Sequence, residues 1–317
     1  MINKYCRGKG VKLRDKNNSE MEPETGQELD DGCDKLITGN TQLTGIIGYP
    51  LTHSLSPQMH NAAFKALGMD WAYVPFPVKP SGLEEAVRGL RALNVRGVNV
   101  TIPHKESVLE YIGEVDETAS LIGAVNTLKF EDETIMGYNT DASGCLRALE
   151  EVTSVDGSSV IILGAGGAAR ACAFQLAVRG ASVTILNRTP ERARALAEDI
   201  KGALDIRVKY GGYELIPACV EGADILIDTT PVGMYPHMDD EPLVKAELMH
   251  EGLVVYDLVY NPPETCLLRE ARAAGAVPVS GLRMLLYQGA EAFRIWSGRE
   301  PPLDVMEKAL LDALQGV

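Results

Sequence analysis

From Thr44 onward the chain alternates short apolar runs with longer segments whose apolar residues recur at helical spacing. TGIIGYP is a brief apolar run closed by proline, which predicts a strand, and WAYVPFPV and GVNVT repeat that texture. Between the first two, SPQMHNAAFKALG predicts a helix with Ser56 as its cap, Pro57 in the first turn and Gly68 past its end. GLEEAVRGLRALN predicts another, with Leu83, Ala86, Val87, Leu90 and Leu93 on one face. A second series starts after residue 140 with helix DASGCLRALEEV, strand SVIILG, helix GGAARACAFQLAVRG, strand SVTILNR and helix TPERARALAEDI. Strands ADILIDTT, GLVVYDLV and AVPVS follow, and residues 281–317 predict two helices broken by Pro301 and Pro302. Strands separated by helices of this length pair in parallel through right-handed crossovers, so the fold class is α/β with mainly parallel sheets.

Composition narrows the function. The 317 residues, 45% of them hydrophobic, suffice for two domains with a core each. Asp and Glu number 44 against 30 Lys and Arg, a net charge of −14 that argues against a nucleic-acid partner. No run approaches the roughly 18 apolar residues that span a bilayer, and MINKYCRGKGVKLRDK lacks the apolar core of a secretory signal. A cytoplasmic protein with no membrane partner is the expectation. Between Ser19 and Asp34 there are seven acidic residues and no basic one, so residues 1–42 are read as a flexible acidic tail. The six cysteines are scattered without C-x-x-C spacing and the five histidines without ligand spacing, so no metal is expected.

Candidate chemistry begins at GAGGAAR. Gly164, Gly166 and Ala169 match G-x-G-x-x-G/A between a strand and a helix. That pattern supplies a tight turn, a close backbone approach to a pyrophosphate and a small residue where helix meets strand. The helix start then offers unpaired amides to the anion. About 20 residues on, where an NAD site usually has a carboxylate for the ribose, this chain has Asn187, Arg188 and Thr189. A guanidinium there favours a ribose phosphate, so the cofactor expected is NADP, with Arg192 one turn beyond as a second cation. A nicotinamide acting on an alcohol or carbonyl needs a proton donor and acceptor, and Lys105, just past the apolar strand VNVTIP, is a candidate.

HSLSPQMHN (53–61), GAVNT (123–127) and GYNTDASG (137–144), together with LGAGGAAR, NRT and GLRMLLYQGAEAF, resemble shikimate dehydrogenases in order and wording. The resemblance runs from about Gly45 to about Trp296. It implies a substrate domain over 43–140, a Rossmann NADP-binding domain over 141–280 and C-terminal helices over 281–317 that return to the first domain. It implies that Ser54 and Ser56 bind the substrate carboxylate, that Thr101, Asn126, Asp141 and Gln288 hold ring hydroxyls, and that Lys105 and Asp141 are the catalytic pair. Tyr260 matches a tyrosine near substrate and nicotinamide, where Gly281 and Met284 also lie. Gly164, Ala165, Gly166, Gly167, Ala168, Asn187, Arg188, Thr189, Arg192 and Thr230 fall at cofactor positions. The implied reaction is NADPH-dependent reduction of 3-dehydroshikimate to shikimate in aromatic amino acid biosynthesis. Asp228 stands where Asn is common and Gly289 where Ala is usual. Asp141 could also simply cap its helix. Two other readings stay open: a quinate/shikimate dehydrogenase with dual use, and an NADP-binding regulatory relative without chemistry. Periodicity does not decide between a monomer and a homodimer.

Overall fold

The computed structural model describes residues 37–131 and 134–315. Most of the segment read as an acidic tail, residues 1–36, lies outside the described residues. Its last residues, 37–41, precede the first strand, and the Thr41 hydroxyl donates to Asp70 at 2.8 Å.

In the first half, β1 (Gln42–Gly48), α1 (Ser56–Ala66), β2 (Trp71–Pro77), α2 (Leu83–Ala92), β3 (Gly97–Val100), β4 (Glu114–Val115), α3 (Glu117–Ile122), β5 (Thr127–Phe130) and β6 (Ile135–Tyr138) build a sheet of order β2-β1-β3-β5-β6-β4. The pairs β1–β2, β1–β3 and β4–β6 are parallel, whereas β5 runs antiparallel to both β3 and β6. After α4 (Thr140–Glu150) come β7 (Ser159–Leu163), α5 (Gly167–Val178), β8 (Ser182–Leu186), α6 (Pro190–Leu204), β9 (Lys209–Gly211), α7 (Ile216–Val220), β10 (Ile225–Asp228), β11 (Val254–Asp257), α8 (Cys266–Ala273) and β12 (Val277–Ser280). Their sheet has the order β12-β11-β10-β7-β8-β9, and every pairing is parallel. This is the doubly wound dinucleotide-binding order, with the reversal point between β7 and β10. The chain ends in α9 (Gly281–Ser297) and α10 (Leu303–Gln315).

The side-chain period of two explains why central strands read as unbroken apolar runs. Ile161, Leu163, Leu226 and Val255 face α7 and α8, while their neighbours Val160, Ile162, Ile225 and Ile227 face the opposite layer with α5 and α6. In the first sheet Ile47, Val98, Val100 and Leu128 pack on α2, while Ile46 and Tyr73 face α1 and α9. Each such buried aliphatic side chain contributes ~1.5–3 kcal/mol. α9 packs along α4 and α10 lies on α1, so the C-terminal helices do pack back onto the first half. Trp296 fixes that return: its indole N–H donates to the Leu128 carbonyl at 2.9 Å, and its ring occupies the space a Cβ on Gly97 would need.

Several local expectations need correction. Ser56 does not cap α1 but is its first residue; Leu55 is the cap position and offers no side-chain acceptor. Asp141 does not cap α4 either, because Asn139 accepts the Ala142 amide there. Leu93 is off the buried face of α2, at 71% exposure, because the helix ends at Ala92. α9 stops at Gly298, which adopts the left-handed conformation (φ 65°), before Pro301 and Pro302 are reached. Among the described residues no helix is long and apolar enough to cross a membrane.

Candidate active site

A cavity of about 470 Å³ opens beyond the C-terminal ends of β1 and β3, walled on the far side by α9 and by Ala168 at the start of α5. Its lining brings together all eight residues predicted for substrate: Ser54, Ser56, Thr101, Lys105, Asn126, Asp141, Tyr260 and Gln288. Of the predicted cofactor residues only Ala168, Gly281 and Met284 reach it. Gly164, Ala165, Gly166, Gly167, Asn187, Arg188, Thr189, Arg192 and Thr230 are outside its lining, on the turns that follow β7, β8 and β10 or, for Gly167 and Arg192, in the first turns of α5 and α6.

Lys105 is held by its backbone. The turn after β3 closes through the His104 amide to the Thr101 carbonyl at 2.9 Å, and the Lys105 carbonyl accepts the Val125 amide at 2.8 Å. The buried His104 ring bonds the Val78 carbonyl at 2.7 Å. With main chain and neighbour both tied, the ammonium is delivered to Asp141 and forms an ion pair with Oδ2. Both side chains are largely buried, at 17% and 9% exposure, so the pair is shielded from the screening that weakens surface ion pairs. Asp141 comes from the first turn of α4, where a carboxylate is also favoured by the helix dipole. Its second oxygen accepts from Asn126 Nδ2 at 2.9 Å. An ammonium and a carboxylate locked together in a cavity wall constitute a proton donor with a fixed aim.

Elsewhere in the lining Ser56 is buried, and its amide donates to Ser54 Oγ at 3.4 Å, which orients the two hydroxyl-bearing residues together. Gln288 is buried on α9, with Nε2 donating to the Leu285 carbonyl at 2.9 Å. Burial raises the pKa of the Tyr260 phenol, which keeps it neutral in the cavity lining.

The glycine turn has the mechanics its spacing predicts. Gly164 sits at φ 107°, and a Cβ there would lie 2.4 Å from the Thr229 hydroxyl, so no other residue fits. Gly166 is the cap position of α5 and open space surrounds its would-be Cβ. The first turn of α5 carries no acidic residue, leaving its amides free to meet an anion. Ala169 is fully buried where helix meets strand. Beyond β8, Asn187 Nδ2 donates to the Thr189 carbonyl at 2.9 Å, shaping the turn that presents Arg188. Arg188 and Arg192 are exposed, and neither has an ion-pair partner among the described residues. Two uncompensated guanidinium groups beside an amide-lined turn fit a dinucleotide that carries an extra phosphate. The turn and the cavity meet at Lys105, whose Cδ lies 3.6 Å from the position of a Cβ on Gly167.

Family models described as the shikimate dehydrogenase substrate binding domain, shikimate / quinate 5-dehydrogenase and the shikimate 5'-dehydrogenase C-terminal domain match residues 46–128, 147–253 and 281–311. The shikimate dehydrogenase (NADP(+)) of Methanothermobacter thermautotrophicus is 75% identical over 276 residues, covering 87% of this chain and 98% of that protein. The chain belongs to the shikimate dehydrogenase family. A crystal structure of a shikimate dehydrogenase in complex with NADP+ superposes with a TM-score of 0.85 at 48% identity, covering 88% of this chain and 98% of that one. The Thermus thermophilus shikimate 5-dehydrogenase in complex with NADP(H) and shikimate gives 0.78 at 39% identity, covering 86% and 100%.

Within this shikimate dehydrogenase family member, residue-by-residue reading missed part of the cavity wall. Asn99 lines it from β3, and its only sequence signal is a polar residue inside an otherwise apolar strand. His53 lines it too, packing edge-on against Tyr235 from the loop after β10 with ring centroids 4.9 Å apart. The two departures from the family pattern have physical contexts. A methyl on Gly289 would come within 2.2 Å of Met59 Cε, so glycine lets α9 sit close to α1. Asp228 pairs in register with Asp257 at the ends of β10 and β11, and both carboxyls are buried. Burial first, and then the Asp257 charge, raise the pKa of Asp228 from 3.8 to about 7, against the lowering effect of Thr230. Burial likewise raises Asp257 to about 6.

A folded-state pKa of about 7 means that the folded chain keeps a proton on Asp228 that the unfolded chain releases above 3.8. The stabilisation is complete below the unfolded value and is lost as pH rises through about 7. Asp228→Asn should therefore stabilise the protein by ~1–4 kcal/mol at about pH 8 and much less at about pH 5. Urea unfolding at the two pH values measures this; an equal effect at both would contradict it.

Proposed function

We propose that this protein is an NADP-dependent shikimate dehydrogenase, reducing 3-dehydroshikimate reversibly to shikimate in aromatic amino acid biosynthesis. The observation that carries this reading is the buried Lys105–Asp141 pair in the wall of a cavity that adjoins the dinucleotide turn. NADPH, when bound, supplies a hydride to the ketone carbon. The Lys105 ammonium donates a proton to the oxygen on which charge develops, so ketone, hydride and proton give the alcohol. Asp141 holds the ammonium in place and accepts a hydrogen bond from the product hydroxyl. In the oxidising direction Lys105, as neutral amine, takes the hydroxyl proton back.

Ser54 and Ser56 offer hydroxyls to the substrate carboxylate, and Thr101, Asn126 and Gln288 bound the ring. Tyr260 and Met284 cover the side toward the nicotinamide, next to Gly281, whose missing Cβ lets the start of α9 pack against the Leu258 main chain. Gly164 to Ala168 cradle the pyrophosphate, with Thr230 beside them. Asn187, Arg188, Thr189 and Arg192 recognise the ribose phosphate. The substrate domain is residues 43–140 and the cofactor domain 141–280.

Initial rates with shikimate and quinate, each against NADP and NAD, test the assignment in one assay. The expected order places shikimate with NADP well ahead of the other three pairings. Quinate with NAD at equal or greater efficiency would reassign the protein to quinate oxidation.

A further inference from the structure

A buried chain of hydrogen bonds reaches the Lys105–Asp141 pair from Tyr73 on β2, the edge strand of the first sheet. Tyr73 Oη donates to Asn99 Oδ1 at 2.7 Å, and Asn99 Nδ2 donates to Thr127 Oγ1 at 3.1 Å. The Thr127 hydroxyl donates to Asn126 Oδ1 at 3.1 Å, and Asn126 Nδ2 donates to Asp141 Oδ1 at 2.9 Å. Asn99 and Thr127 are directly opposed across β3 and β5, so sheet register alone places their side chains together. Every member is buried.

The polarity of this chain is determined at the Asn126 end. The Thr140 amide donates to Asn126 Oδ1 at 2.7 Å, which leaves Nδ2 as the end that meets Asp141. Facing that oxygen, the Thr127 hydroxyl donates its proton to it and accepts from Asn99 Nδ2. Asn99 Oδ1 is then turned toward the Tyr73 phenol, which donates to it and is also hydrogen-bonded to Ser56. With the amide reversed, two carbonyl-type oxygens would face each other beside the carboxylate. Amides do not relay protons, so the chain sets orientation and moves no charge. Its outer end is itself held: the Tyr73 ring stacks on His60 with centroids 4.5 Å apart and planes 8° apart. His60 is fully buried, and neither ring nitrogen has a hydrogen-bond partner among the described residues.

We propose that Thr127 is a positioning residue for proton transfer, holding through Asn126 the carboxylate that aims Lys105, with Asn99 donating to its hydroxyl from behind. This rests on the dehydrogenase reading above. Thr127→Val keeps the shape and removes the hydroxyl, whereas Thr127→Ser removes the methyl and keeps the hydroxyl. Thr127→Val should lower kcat by roughly tenfold or more while KM for shikimate stays within about twofold. Thr127→Ser should retain most of the rate. Thermal unfolding of each variant shows that the compared proteins are folded.

A packing role predicts the opposite order, with Thr127→Ser the worse of the two, and that order would overturn the proposal. So would a Thr127→Val rate equal to wild type. Wild-type protein assayed alongside separates the two levels. If it fails to reduce NADP with shikimate, the dehydrogenase reading itself falls; if it succeeds and Thr127→Val matches it, only the positioning role does.

Discussion

Lys105→Ala should lower turnover of shikimate with NADP by roughly 100-fold or more, the scale on which a positioned acid–base group contributes. Cofactor affinity should change little, because the side chain meets the glycine turn only through its methylene stem near Gly167. Arginine should not restore the rate. A guanidinium matches the charge but does not give up its proton, so Lys105→Arg preserves the pairing with Asp141 and loses the chemistry. Alanine also leaves the buried Asp141 carboxylate with Asn126 as its remaining side-chain partner, at a cost in stability. Rates should therefore be compared below the melting temperature of each variant. Turnover within a few-fold of wild type in folded Lys105→Ala would remove this lysine from the proton-transfer step.

Arg188→Ala should weaken NADPH by roughly 10- to 100-fold and leave NADH nearly unchanged, since hydrogen bonds to charged groups contribute about 1.5–3 kcal/mol. The guanidinium has no internal ion pair among the described residues, so its removal strands no buried charge. The loss should therefore report on the ligand rather than on folding. Exposure makes the term sensitive to salt: discrimination between the two cofactors should narrow as ionic strength rises. Fluorescence titration of both reduced cofactors at low and high salt measures both effects. Equal weakening of NADPH and NADH would contradict the assignment of Arg188 to the ribose phosphate.

Much of the fold was legible because its central strands are buried on both faces and its helices on one. The apolar runs VIIL, DILID and VVYD stand out for that reason, and each is a strand of the second sheet. The hairpin of β5 and β6 was not anticipated, since four-residue strands separated in the sequence by the polar stretch EDET give too short a signal. Ser56 and Asp141 look like caps one or two positions from where the caps stand. Boundary position depends on which backbone amide finds an acceptor, as Asn139 does for Ala142. The eight residues that the family wording implied for substrate all line the cavity, whereas Asn99 lies outside that wording and Thr127, the last residue of GAVNT, was not singled out by it. Their role is visible only when register places them side by side.

The chain passes between the two sheets twice, and both times in helix: α4 leaves β6 toward β7, and α9 leaves β12 to end with Trp296 against Leu128. These helices lie against each other. Any displacement of one sheet relative to the other has to be absorbed along this helix pair, which makes it the hinge line on which an opening or closing of the cleft would turn.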